Sequence, residues 1–277
     1  MFDGPAIQTL QRSRGFAWLE VYARAGAPAV RGLRQSGSAK AFLPGRMPDA
    51  AIFLNTSGGL TGGDRLEYAL DLAPDLRLAA TTQTAERAYA SQGQMAEVTV
   101  QMQVAPGAHL DWLPQETLLY EGSVLARDTR IDLAGTASTL LCEMIVLGRH
   151  AMGEFPAQLR LRDRRRVFRD GRIVWADSLM VDAGALARQG SAAILGNARC
   201  HAVIALVAQG AEDATGALRP LLAADGVEGA LSAWNGRLIL RMTARDSWPM
   251  KVQLARILSQ LRGRPVPRAW QMNGDIP

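Results

Sequence analysis

The dominant rhythm of apolar and polar positions is two. Ala96, Val98, Val100, Met102 and Val104 alternate with Glu97, Thr99, Gln101 and Gln103, and Leu66, Tyr68, Leu70 and Leu72 alternate with Glu67, Ala69 and Asp71. Leu238, Leu240 and Met242 continue the pattern less cleanly among Arg237, Ile239 and Arg241. Successive strand side chains project to opposite faces, so this rhythm predicts half-buried β-strands. Shorter runs at residues 16–22, 76–82, 110–113, 129–133, 139–147, 171–175 and 201–207 extend the series, broken by turn signals such as Ala105-Pro106-Gly107 and Asp170-Gly171. One segment follows a helical period instead: Met250, Leu254, Ile257, Leu258 and Leu261, with Ser247 as the expected cap, Pro249 in the first turn and Gly263 as the stop. Shorter helical turns are expected near residues 183–189 and 217–224. The pattern predicts a mostly β protein with a stacked, helical-type β architecture and a small helical part near the C-terminus. Long helices alternating with strands, the mark of a doubly wound sheet, are missing. No shift in composition marks a linker, so residues 1–277 are read as a single domain.

Residues 55–64 interrupt the rhythm with Asn-Thr-Ser-Gly-Gly-Leu-Thr-Gly-Gly-Asp. Glycine reaches positive φ where other residues are strained, so two Gly-Gly pairs this close imply a fixed, tightly folded loop or a close backbone approach. The loop is not a phosphate-binding Gly-Lys-Ser/Thr motif. It is not a dinucleotide fingerprint either, because a strand pattern and not a helix follows Asp64.

Composition narrows the class. Hydrophobic residues make up 48% of 277, enough for a large core, and no apolar run is long enough for a membrane-spanning helix. Residues 1–5 lack a basic segment followed by an apolar one, so no signal peptide is read there and a cytoplasmic location is expected. Cys142 and Cys200 fit neither a disulfide framework nor a zinc motif and read as small buried hydrophobes. The net charge is +5, with Lys40 and Lys251 the only lysines. The densest basic run, Arg160–Arg169, is interleaved with Leu161, Val167 and Phe168 and interrupted by Asp163. It reads as a solvated strand face or a face that docks an acidic partner protein, in preference to a nucleic-acid surface.

Candidate chemistry rests on carboxylates. Asp64, Glu86, Glu116, Glu143, Glu154 and Asp177 lie in apolar or turn-rich surroundings, where an unpaired charge is costly to bury. Each must meet an arginine, backbone donors, water or an ion. Pairing with arginine is the plain reading for any one of them. Several facing one wet interior would form a weak, exchangeable path for a divalent cation. A carboxylate-based hydrolase is the alternative, built from two of Asp64, Glu86, Glu116 and Asp177. His109, His150 and His201 allow a triad that no Gly-x-Ser-x-Gly elbow supports. Four-ligand zinc is not supported, since the adjacent Cys200 and His201 point to opposite faces of a strand.

Taken together, residues 55–64 (NTSGGLTGGD), 81–91 (TTQTAERAYAS), 111–122 (DWLPQETLLYEG), 142–154 (CEMIVLGRHAMGE), 171–177 (GRIVWAD) and 265–270 (PVPRAW) resemble the UreD (UreH) family of urease accessory proteins. The segments occur in the family order across nearly the whole chain. The resemblance implies a non-enzymatic, mostly β maturation factor. Such a factor binds the urease apoprotein and, with UreF and the GTPase UreG, supports nickel insertion and carbamylation of the active-site lysine. It also implies an internal passage for nickel, bound transiently and with no tight cofactor, in which Asp64 would line or gate the path. Glu86, Glu116, Glu143, Glu154 and Asp177 would be further stations. Arg149, His150, Arg268 and Trp270 are the expected partner-binding residues. The resemblance gives no role to nucleic acid or membrane. The sequence departs from the family pattern at Ala88 and Ala90, which flank Tyr89, and at Gln271-Met272-Asn273-Gly274.

Overall fold

The computed structural model describes residues 12–45 and 50–271. The N-terminal residues 1–5 and the departure at 272–274 lie outside them. In chain order the first strands are Arg14–Arg24 (β1), Ala27–Gly37 (β2), Ala39–Phe42 (β3), Ala50–Asn55 (β4), Arg65–Leu72 (β5) and Arg77–Thr82 (β6). Glu86–Ala88 (β7), Ala96–Val104 (β8), His109–Trp112 (β9), Thr117–Leu119 (β10), Val124–Leu133 (β11) and Ser138–Leu147 (β12) follow. Arg160–Arg169 (β13), Arg172–Val181 (β14), Cys200–Val207 (β15), Val227–Trp234 (β16) and Arg237–Ala244 (β17) complete the series. Helices are Ala183–Ala187 (α1), Thr215–Leu218 (α2) and Ser247–Arg262 (α3).

The chain winds between two sheets. One has the order β14-β13-β11-β8-β5-β1-β2, and the other runs β16-β17-β15-β12-β9-β6-β4-β3 with short β7 and β10 joined at its side. Neighbouring rungs β5, β8, β11 and β13 are parallel, as are β4, β6, β9 and β12, so the middle of the molecule is a β-solenoid-like stack. Parallel rungs put like positions in register. Leu70, Met102, Ile131 and Val167 form one inward column, and Leu66, Val98, Arg127 and Asp163 form another. The outward positions of the same strands are the polar half of the alternation.

The interior column therefore changes character along the stack. Its first rungs are apolar; from β11 onward Arg127, Thr129, Asp163 and Arg165 occupy inward positions and are buried. The Arg160–Arg169 run is thus a solvated face only at Arg160, Arg162 and Arg164, with Arg166 half-buried beside them. Arg165 is turned inward by the strand period and is fully buried.

A second core lies on the far side of β12, β15 and β17, where Leu140, Cys142, Met144, Ile204 and Leu240 meet Met250, Leu254, Ile257 and Leu258 of α3. Both cysteines are free and buried, as the sequence suggests. Gly263 ends α3 in a left-handed conformation at φ 64°, but Asp246 and not Ser247 caps its start, accepting the Trp248 N–H at 2.8 Å. The difference is one of register: Asp246 is the last extended residue, and Ser247 is already helical. Strands β2 and β16 are absent from the sequence reading, because both are edge strands with little buried surface and no clean alternation.

Candidate functional site

The strands of the second sheet turn a corner at each rung. β6 gives way to β7 at residues 82–86, β9 to β10 at 112–117, and β12 changes neighbours from β9 at Leu141 to β10 at Ile145. Stacking aligns these corners, and the diverging backbones leave a cavity of about 60 Å³ beneath the Gly-rich loop. That is room for about four water molecules. Gly58, Thr84 and Arg87 form its exposed rim, and Leu66, Val98, Trp112 and Glu143 lie at its depth.

Close backbone and side-chain approaches fix the conformation of the Gly-rich loop. A Cβ at Gly59, with φ of 147°, would stand 2.7 Å from the Arg87 carbonyl oxygen, and one at Gly62 only 1.9 Å from Ser91 Oγ. Asn55 anchors the start of the loop by accepting the Ser57 N–H at 3.1 Å and donates to both Glu86 oxygens at 3.3 Å. Asp64 closes it: its carboxylate accepts the Ser13 N–H at 2.7 Å and the Thr61 N–H at 2.8 Å. Asp64 is buried and is not among the residues that line the cavity.

Glu86 lines the cavity and receives the Arg87 N–H at 3.1 Å. Burial is the largest influence on it and raises its pKa to about 7, against the lowering effects of Asn55 and Arg87. Nearby Tyr68, also in the wall, is pushed up by burial and then by the Glu86 charge.

Glu143, at the floor, is fully engaged. Its oxygens accept from Trp112 Nε1 at 3.1 Å, Thr129 Oγ1 at 2.7 Å and Arg165 Nε at 2.7 Å, with Arg127 at 3.3 Å. Arg127 makes a two-pronged contact with Asp163 at 2.9 and 2.6 Å and donates to Thr117 at 3.1 Å. Arg165 continues the chain to Asp163 and, at 3.0 Å, to Asp177, which the half-exposed Arg241 of β17 also meets. Burial acts to raise the Asp163 pKa, but the two guanidiniums outweigh it and hold the carboxyl below the ordinary range. His201, beside this network, is lowered to about 4 by burial and by Arg165. The cavity thus ends on an ionic wall that runs from Glu143 through Arg165 and Asp177 to Arg241.

The remaining expected residues are dispersed. Glu116 pairs with Lys251 of α3 at 3.0 Å. Glu154 accepts the Glu121 N–H at 2.8 Å and pairs with Arg149, whose guanidinium lies 5.1 Å from the Tyr120 ring centroid. His150 is exposed and contacts Asp246 at 3.1 Å, and Arg268 is exposed. Trp270, expected on an exposed docking face, is instead 3% exposed: its ring fills the second core and its Nε1 donates to the Leu113 carbonyl at 2.9 Å. So Glu86 and Glu143 are brought together at one cavity; Asp64, Glu116, Glu154 and Asp177 are held elsewhere by backbone donors, lysine or arginine.

Arg127, Asp163 and Arg165 were not singled out by sequence reasoning. The signal was present, since Leu161, Asp163, Arg165 and Val167 share a strand face whose flanking members are apolar. A serine–histidine–aspartate contact does occur, with His109 Nδ1 2.7 Å from Ser138 Oγ and Nε2 2.8 Å from Asp111. Asp111 is also held by Arg262 at 2.8 Å, and none of the three lines the cavity. Among the described residues no three His, Cys, Asp or Glu side chains converge on a metal-binding point. No helix among them is long and apolar enough to cross a membrane.

Fold and cavity together define a β-solenoid-like protein with an acid-lined cavity under a tightly packed glycine loop. The chain belongs to the UreD urease accessory protein family, whose model matches residues 13–271. It is 51% identical over 270 residues to a urease accessory protein UreD of Cereibacter sphaeroides, covering 96% of this chain and 98% of that one. It is 50% identical over 275 residues to the Paracoccus denitrificans protein of the same name, covering 98% and 97%. A Rhizobium leguminosarum relative is 38% identical over 265 residues, covering 95% and 96%. Membership in this family supports a role in urease maturation.

Proposed function

We propose that this protein acts without catalysis as a docking scaffold on the urease apoprotein. With UreF and UreG it supports nickel insertion and lysine carbamylation, and nickel passes through it as cargo in the cytoplasm. The observation that carries the nickel part is Glu86, a carboxylate that faces the cavity and is held by amide donors instead of a cation. Around it stand Thr82 and Thr117, whose hydroxyl oxygens suit a borderline divalent ion held loosely. One carboxylate with water releases an ion readily, whereas a site of four thiolates would not. Glu143, the other acid at the cavity, accepts from four side chains, so entry beyond it requires the ionic wall to rearrange. Asp64 contributes to this reading by fixing the loop above the cavity. The hydrolase alternative needs two available carboxylates at one substrate and finds only Glu86. The test is Glu86→Gln, which preserves shape and the Asn55 contact region. Co-expressed with urease and its accessory proteins, it should assemble normally yet leave urease poor in nickel. Full nickel content in that urease would end the reading.

A further inference from the structure

The seven-stranded sheet ends at β14, and the outer edge of this strand is open. Among the described residues, no backbone hydrogen bond reaches it from any element but β13. Exposed edges offer a ready template for another strand, and proteins usually blunt them with charge, proline or shortness. β14 is ten residues long; Arg172 and a register shift lie at its start and Asp177 points inward, but its outward positions opposite Arg166, Arg164 and Arg162 are the uncharged Ala176, Ser178 and Met180. Met180 is 71% exposed and Ile173 55% exposed.

The neighbouring strand supplies charge. Arg160, Arg162, Arg164 and Arg166 project from β13 on the same face as Met180. Arg164 and Arg166 share Asp128. Arg162 approaches the Met95 sulfur at 4.0 Å, and neither it nor Arg160 forms an ion pair among the described residues. A strand added to β14 would lie about 10 Å from β13, two strand spacings, which arginine and glutamate side chains span together.

We propose that the open edge of β14 takes an extended acidic segment of a partner protein by strand addition. Main-chain hydrogen bonds supply the binding, Met180 and Ile173 meet the segment's apolar side chains, and Arg160 and Arg162 select its charge. A second copy of this chain fits poorly, because β14 paired with β14 would bring both sets of arginines to one face. Nucleic acid fits poorly too: Asp128 sits inside the arginine row, and the edge presents the apolar side chains of Met180 and Ile173 to a phosphate backbone. This inference stands apart from the cavity and does not depend on nickel.

The probe is a peptide of about eight residues, the length of an ordinary strand, alternating glutamate with valine. It is compared with a lysine–valine version and with one N-methylated at alternate amides. Amide hydrogen exchange on the full chain should slow across residues 172–181 with the acidic peptide and not with the basic one. N-methylation, and separately the pair Arg160→Glu and Arg162→Glu, should each weaken binding roughly tenfold or more. Equal binding by the N-methylated peptide, protection confined to β2 or β16, or no protection at millimolar peptide would overturn the proposal. So would a DNA duplex that protects the same strand, or a peptide-free dimer that buries it.

Discussion

Arg165 and Glu143 meet at 2.7 Å, Nε to Oε2, with neither side chain exposed to solvent. They come from different sheets and meet in the interior between them. Asp163 and Asp177 complete the shell of Arg165, so one guanidinium is shared by three carboxylates. Removing it would leave buried negative charge with too few partners. Arg165→Met is therefore expected to lower stability by about 3–5 kcal/mol. Denaturant unfolding would measure it, and a loss under about 1 kcal/mol would mean that water already reaches the network.

Glu86 ties stability to pH in an unusual direction. Its folded-state pKa is about 7 against an ordinary 4.5, so between those values the folded protein binds more protons than the unfolded one. Stability should then fall as pH rises through that window, the opposite of a salt-bridged carboxylate. Glu86→Gln removes the ionisation and should flatten this part of the pH–stability curve. Identical slopes for the two proteins would show that Glu86 titrates normally.

Asp64 holds its loop by two backbone N–H groups, so Asp64→Ala is expected to cost about 1–3 kcal/mol through donors left unsatisfied. Asp64→Asn keeps one carbonyl acceptor and should cost less. Thermal unfolding separates these variants. If Asp64→Ala leaves stability unchanged but starves urease of nickel, Asp64 acts on the ion itself and not through the loop.

Gly59 and Gly58 provide an internal control at the cavity rim. Both have positive φ, but a Cβ at Gly58 meets open space whereas one at Gly59 strikes the Arg87 carbonyl oxygen and the Tyr89 ring. Gly58→Ala should cost about 1 kcal/mol from backbone strain alone. Gly59→Ala should cost about 1–3 kcal/mol more, since backbone must move. Equal losses in urea titrations would mean that the loop shifts freely.

Trp270 anchors the C-terminal turn to the second core. Trp270→Ala is expected to destabilise by about 3–5 kcal/mol, and Arg268→Ala, at an exposed position, by no more than about 0.5 kcal/mol. A binding defect in Arg268→Ala without loss of stability would make the exposed side of this turn an interface.

Much of the architecture was written in the period-two alternation. Residues 66–72 and 96–104 fell in their strands because each buries one face, and the burial requirement leaves its imprint on every second residue. Met250 through Leu261 did the same for α3. β2 and β16 escaped because edge strands bury too little to constrain their side chains. Trp270 misled for the converse reason: it was expected on a partner-binding face, while a core contributed by β12, β15, β17 and α3 was waiting for its ring.

The sequence by itself determined that this is a stacked β protein with a conformationally fixed glycine loop, since alternation and glycine stereochemistry act over a few residues. It also carried the six segments by which the family is recognised. Only the tertiary structure decided which acid faces the cavity. Asp64, Glu86, Glu116, Glu143, Glu154 and Asp177 look alike in the chain, but the cost of a buried charge depends on what stands within a few ångströms of it. Those neighbours come from residues tens to more than a hundred positions away: Ser13 for Asp64, Lys251 for Glu116, Arg241 for Asp177. Register between distant rungs, which no local pattern encodes, left Glu86 facing the cavity and sealed Glu143 behind arginine.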